Sequence, residues 1–354
     1  MILYLHIPFC ESKCPYCAFI SYTNKNIFKK AKKAYSQAIL KQLDFEIERF
    51  SLPLKSIDSV FIGGGTPSFF NHELLKPFMQ KLSPFLSDNA EMTTEANPNS
   101  ASLEWLLGMR ELGFNRISFG VQSFDDKKLK FLGRIHDGNA AKKAVLRARE
   151  AGFGNISVDI IYALAMDTKR VLENDIKTSA ALPINHISAY SLTIEAKTPF
   201  FERKNAMKES LTMAKFIVRS LKDENFLQYE VSNFSRGYEC LHNKRYWAHD
   251  SYIGVGCGAV GFDGQKRFYP SNDLKEYIAS PLLQKTEHLS AEDLRLERLF
   301  LAFRSNLGIS LDFLPKQFEN KIDMLVEAKK VYIKDGRLYN KNYFLADEIA
   351  LFLS

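Results

Sequence analysis

The sequence has no apolar run approaching the roughly 18 residues that a membrane-spanning helix needs. A membrane-embedded protein is not expected. The opening MILYLHIPF is apolar, but it is short, has no basic flank and contains His6, so a secretory leader is not expected either. Cysteine is scarce and odd in number, with five in 354 residues. Three of them, Cys10, Cys14 and Cys17, crowd too closely for a disulfide framework, which points to a reducing, cytoplasmic setting. Neither sign of charge dominates, for the net charge is +7. Part of the excess lies in Lys29, Lys30, Lys32 and Lys33, which read as one solvated helix face. No basic stretch is interleaved with aromatics, so nucleic acid is not an expected partner. The chain shows no internal repeat and no low-complexity tract.

What is present reads as an ordinary folded chain, 46% hydrophobic and 25% charged. Strand and helix patterns alternate over the first two thirds. Strands are expected at Ile2–His6, Asp58–Ile62, Glu91–Glu95, Arg116–Phe119, Ile156–Ile161 and His186–Ser191. Helices are expected over Lys29–Phe50, Glu73–Leu86, Ala101–Leu112, Lys127–Phe131, Asn139–Ala151, Arg170–Ala181 and Ala206–Glu224. Six β–α units imply a parallel α/β sheet with right-handed crossovers. An open doubly wound sheet and an incomplete TIM-type barrel both fit, and both collect chemistry at the C-terminal ends of the strands. Past Gly237 the alternation stops. Glycine-rich DSYIGVGCGAVGF, helices at Leu274–Ile278 and Ala291–Arg304, and a hairpin at Asp335-Gly336 followed by a helix suggest a small α+β domain. The expected division is 1–236 and 237–354.

The distinctive residues follow the strand ends. Cys10, Cys14 and Cys17 stand in C-x3-C-x2-C spacing just after the first strand. Three thiolates can hold three irons of a [4Fe–4S] cube and leave the fourth iron open to a small molecule. Zinc with His6 as a fourth ligand is the competing reading, but zinc loops usually pair ligands, and no second pair with that spacing exists. Gly63-Gly64-Gly65-Thr66-Pro67 follows the second strand; no G-K-[ST] follows it, so it is not a phosphate loop. Its glycines would allow close backbone approach to a ligand.

These runs resemble the radical S-adenosylmethionine superfamily. The matches YLHIPFC, GGGTPS, TEANP, NRISFGVQSF, LGRIHD, VDIIY and HNKRYW resemble, more narrowly, the oxygen-independent coproporphyrinogen oxidase family and its haem chaperone branch. The resemblance implies a partial (β/α)6 TIM-type barrel with a small C-terminal domain. It implies S-adenosylmethionine chelated to the open iron and reductively cleaved to a 5′-deoxyadenosyl radical. By position, Tyr4, Tyr16, Gly64, Gly65, Thr66, Glu95, Gln122, Arg134, Asp159 and Ser191 would contact it. Tyr16 would do so through its backbone, Gly64 to Thr66 along the methionyl part, and Glu95 at the amino group.

HNKRYW is the run linked to haem in the chaperone branch. It implies His242 as an iron ligand, with Tyr246 and Trp247 flanking the porphyrin and Cys240 an alternative thiolate. Phe19 stands where the oxidases carry a further cysteine, Val260 where the family tends to have histidine, and Ala165 where it has proline. The implied function is haem delivery to an apo-haemoprotein such as a respiratory enzyme. A contact with a membrane surface is compatible with it, although no residue pattern carries one. The runner-up is oxidative decarboxylation of coproporphyrinogen III.

Overall fold

A computed structural model describes residues 1–23, 28–208 and 211–354, without the side chains of residues 28, 29 and 204. Six parallel strands form its centre: β1 Ile2–Ile7, β2 Ile57–Gly64, β3 Leu86–Ala96, β4 Arg116–Gln122, β5 Asn155–Tyr162 and β6 His186–Ser191. They are hydrogen-bonded in sequence order, with no reversal. That order belongs to a singly wound barrel wall and excludes the doubly wound alternative. The helices between them are α1 Phe28–Arg49, α2 Lys76–Leu82, α3 Leu103–Glu111, α4 Asp126–Phe131, α5 Gly138–Glu150, α6 Lys169–Ala180 and α7 Leu211–Asp223. Side-chain caps start several of them: Ser102 for α3, Asp125 for α4, Asp137 for α5 and Thr168 for α6. The helix expected from residue 206 begins at Leu211, and positions 209–210 lie outside the described residues.

Strand alternation sorts the two faces. Leu5, Val60, Ile62, Ile117, Phe119, Val158 and Ile187 face the helices and join one large apolar core. The opposite residues, including Ser59, Glu91, Glu95, Arg116, Asp159 and His186, make a polar inner face. The solvated face expected of the α1 lysines is only partly so. Lys30 and Lys33 are exposed, but Lys32 turns inward and lies 3.8 Å from the centre of the Phe69 ring. The Lys29 side chain lies outside the described residues.

The remaining chain adds short strands at both ends of this wall. β7 Leu227–Gln228 and β8 Asn233–Ser235 extend it beyond β6. After α8 Leu241–Trp247, strands β9 Tyr252–Val255, β10 Gly261–Phe262 and β11 Lys266–Pro270 follow. Then come α9 Leu274–Ala279 and β12 Gln284–His288. β9 pairs parallel with β1, so residues 252–288 prolong the same sheet to twelve strands. A separate core forms only later. There α10 Ala291–Phe303, β13 Ile309–Ser310, α11 Glu319–Glu327, β14 Val331–Lys334, β15 Arg337–Asn340 and α12 Ala346–Phe352 bury Leu299, Phe303, Val331, Leu338 and Ile349 together.

The helix α8 carries HNKRYW and closes the barrel floor. Glu91 of β3 holds it there. Its carboxylate accepts hydrogen bonds from the amides of Leu241 (2.7 Å) and His242 (3.0 Å) and from the Tyr238 hydroxyl (2.7 Å). The Cys240 thiol donates a fourth, at 3.4 Å. A buried carboxylate at a helix N-terminus satisfies amides that have no partner within the helix and meets the positive end of its dipole. Replacing Glu91 with Ala leaves these donors buried and unpaired. A loss of roughly 3 kcal/mol is expected, read by urea unfolding followed through the far-UV signal.

Candidate functional site

The cysteine loop is built by extending strand pairing past the strands. β1 and β2 run in register to Ile7 and Gly64. The Gly65 amide then donates to Ile7 O and the Thr66 amide to Phe9 O, both at 2.9 Å. The loop closes on itself through Tyr22 N to Pro8 O (2.8 Å) and Cys10 N to Tyr22 O (3.0 Å). His6 braces it from below. One ring nitrogen lies 2.8 Å from Ile20 O and the other 3.0 Å from the Tyr4 hydroxyl. Both nitrogens are committed, so His6 is not available as a metal ligand in this arrangement.

The glycine run also has a reason within the protein. A Cβ on Gly64, whose φ is +111°, would lie 2.4 Å from the His6 ring, and one on Gly65 would lie 2.9 Å from Ile7 O. The close approach these glycines allow is to the protein itself. It leaves the Gly64 amide free to donate to Glu95 at 3.0 Å.

One cleft at the strand ends is lined by all three motif cysteines, with Tyr16, Gly64, Gly65, Thr66, Glu95, Gln122, Arg134 and Asp159. These are eight of the ten residues expected to contact a nucleoside ligand. Tyr4 lies elsewhere, in an adjoining cavity of about 430 Å³ with Tyr246, Tyr252 and Val260. Phe19 lines both spaces. Ser191 ends β6 as an exposed residue outside the cleft lining. Among the described residues, no three of His, Cys, Asp and Glu gather closely enough to hold one metal ion. Three thiols around a shared cleft but not around one point suit a multi-iron cluster better than a single zinc. Burial raises the thiol pKa of Cys10 and Cys17. Thr66 Oγ1 donates to Cys10 Sγ at 3.3 Å, which partly offsets its burial, and Arg134 donates to Cys14 Sγ at 3.4 Å.

The carboxylates at the back of the cleft want a cation. Glu95 is pushed up to about 8, first by burial and then by the neighbouring charge of Asp159. Asp159 is raised too, mainly by burial, and accepts from Ser118 Oγ at 3.0 Å. The buried imidazole of His242 sits between Phe61 and Tyr246, with ring centres 5.1 and 5.0 Å away. Its Nδ1 lies 3.0 Å from Ser59 Oγ and its Nε2 has no partner. Burial lowers its pKa to about 3, so it is neutral. The Trp247 indole N–H is likewise without a partner. Sequence reasoning passed over Glu91 and Arg116. Their only signal was polar character on strands otherwise reading as apolar.

The sequence of residues 4–178 matches the model of the radical SAM superfamily. Heme chaperone HemW of Bacillus subtilis is 34% identical over 355 residues, spanning 95% of this chain and 92% of that protein. The chain belongs to the HemW family. HemW of Haemophilus influenzae is 33% identical, spanning 93% of this chain and 88% of that protein. The Escherichia coli coproporphyrinogen III oxidase HemN superposes with a TM-score of 0.81 over 99% of this chain and 89% of that one, at 20% identity. That likeness shows the shared radical SAM fold.

The raised Glu95 sets a pH dependence for any ligand that brings an α-ammonium to it. Below pH 8 the carboxyl is protonated and must release its proton to bind the cation, so affinity rises with pH. Above about 8 the ligand's own ammonium deprotonates, so affinity falls again. A maximum near pH 8 is expected by calorimetric titration, and Glu95→Gln should remove the rising limb.

Proposed function

We propose that this chain is a cytoplasmic haem chaperone. In this reading Cys10, Cys14 and Cys17 hold a [4Fe–4S] cluster. Gly64, Gly65, Thr66, Glu95, Gln122, Arg134 and Asp159 hold S-adenosylmethionine, with Tyr16 at its side. When bound, the cluster supplies a one-electron reductant and an open iron position. The donor set fits: the cleft offers two buried carboxyl groups, Glu95 and Asp159, that can receive the ligand's ammonium. It also offers three thiols, two of which accept hydrogen bonds from Thr66 and Arg134.

The observation that carries the haem part of the reading is His242. A fully buried imidazole normally has both nitrogens satisfied. Here Ser59 holds one and the other faces no partner. With Nδ1–H donated to Ser59, Nε2 carries the lone pair that an iron would take, and neutrality suits it to the task. Cys240 is the weaker candidate, because burial pushes its thiol up to about 12. Phe61 and Tyr246 cover the His242 ring, so haem would enter by displacing them. Delivery to an apo-haemoprotein follows from the names of the relatives.

The fold likeness to a coproporphyrinogen oxidase favours a second reading, oxidative decarboxylation of that porphyrinogen. Phe19 speaks against it. Its exposed ring stands at the cleft mouth where the resembled oxidases carry a further cysteine.

Anaerobically reconstituted protein should bind haem with a Soret shift that His242→Ala alters. The same protein with S-adenosylmethionine, reductant and coproporphyrinogen III should yield no protoporphyrinogen. Its appearance would establish the oxidase reading instead. Cys14→Ala should abolish the brown cluster absorbance of the reconstituted protein; an unaltered spectrum would refute the ligand assignment.

A further inference from the structure

Beneath the cleft lies an ionic group that none of this chemistry uses. Lys128 of α4 is fully buried. Its ammonium lies 2.9 Å from Asp167 Oδ1 and 3.4 Å from Asp175 Oδ2, and both carboxylates are buried as well. Enclosing three charges costs more in desolvation than their attraction returns, unless the same groups make further bonds. Here the further bonds all go to loops at the cleft rim. Asp175, on α6, accepts from the Phe124 amide at 2.7 Å and from Ser123 Oγ at 2.8 Å. Asp167 accepts from the Leu164 amide at 2.9 Å.

These contacts fall beside the two strand ends that need holding. Gln122, one residue before Ser123, ends β4 with φ +67°. Ala163, one residue before Leu164, follows β5 with φ +66°. Left-handed backbone at a residue with a side chain is strained and persists only where surrounding contacts enforce it. Lys128 also fixes α4, just beyond which Arg134 turns back into the cleft. The Arg134 guanidinium donates to Gly120 O at 2.7 Å and to Cys14 Sγ at 3.4 Å.

We infer that the Lys128–Asp167–Asp175 group is a positioning device. It presets the ends of β4 and β5, and with them Gln122 and Arg134, for the nucleoside end of a ligand in the cleft. The inference rests on the proposed S-adenosylmethionine reading of that cleft. Lys128 touches no ligand and acts through the loops it ties.

The test measures S-adenosylmethionine affinity by equilibrium dialysis on cluster-loaded protein, with iron content and thermal midpoint recorded for each variant. Lys128→Met should weaken affinity about tenfold, as loss of a supporting residue behind a site commonly does, while iron content stays native. Lys128→Arg should restore most of it. Ser123→Ala, a milder change that leaves the ion pairs intact, should weaken affinity about threefold and covers the case in which Lys128→Met does not fold. Glu46→Gln is the control for general loss of stability. It disturbs another buried carboxylate, paired with Arg49 on α1, and should leave affinity unchanged. Native affinity in both Lys128→Met and Ser123→Ala, with only the thermal midpoint lowered, overturns the inference alone. An equal loss in Glu46→Gln overturns it as well. Failure of the native protein to bind S-adenosylmethionine overturns the reading of the cleft and this inference with it.

Discussion

The parallel pairing of β1 with β2 does not stop where the strands stop, and the rest of the site hangs on that continuation. Two amides beyond β2, of Gly65 and Thr66, keep donating to carbonyls beyond β1, at Ile7 and Phe9. The cysteine loop is therefore laid over the glycine run in fixed register. Only glycine can take part, since Gly64 packs face-on against the His6 ring and Gly65 against main chain. His6 then reaches up to Ile20 O and holds the far end of the loop down. The same geometry frees the Gly64 amide for Glu95. Cysteines, glycines and carboxylate are thus positioned by one ladder of backbone bonds rather than by separate contacts.

A second constraint follows from the polarity of the inner face. A TIM-type barrel is ordinarily filled by branched apolar side chains. Here the inner positions of β3 to β6 carry Glu91, Glu95, Arg116, Asp159 and His186, which need partners if they are to be buried. The lower ones find them in the returning chain. Glu91 takes the start of α8, and His186 bridges Ser157 and the Tyr229 hydroxyl at 2.8 Å each. Glu95 and Asp159, nearer the strand ends, are left with few partners. At the floor the polar inner face is tied to the returning chain, whereas at the cleft its carboxylates are bonded only by the strand ends around them.

This division explains what the sequence discloses. Six β–α units and the residues at their ends are local patterns, and Gly64, Gly65, Glu95, Gln122 and Asp159 stand at or just past strand ends, whereas Tyr16 and Arg134 came from the family resemblance alone. Ser191, read from the same strand-end rule, ends β6 as an exposed residue that does not line the cleft. Glu91 was invisible because its partners, Tyr238 to His242, lie some 150 residues further on. The hairpin at Asp335-Gly336 was legible and forms as β14 and β15, but the short strands β7, β8 and β12 were not. β12 reads QKTEH and is exposed almost throughout, so no alternation marks it. HNKRYW gave no sign of being a helix, since seven residues carry too little periodicity. What makes it helical is the carboxylate that waits for its amides.

The placement of that helix bears on how haem could be both held and released. An iron ligand exposed on the surface would bind haem without discrimination. His242 instead lies under Phe61 and Tyr246, on a helix whose first amides are tied to Glu91. On the proposed reading, binding at Nε2 would displace this cover and departure would restore it, so the protein's own packing would compete with haem for the same space. A tight resting seal lowers affinity by the fraction of molecules in the open state. That is an advantage for a carrier, which must surrender its cargo to a better site. The cover touches Tyr246, Tyr246 lines the cavity that Phe19 shares with the cysteine cleft, and Phe19 belongs to the cluster loop.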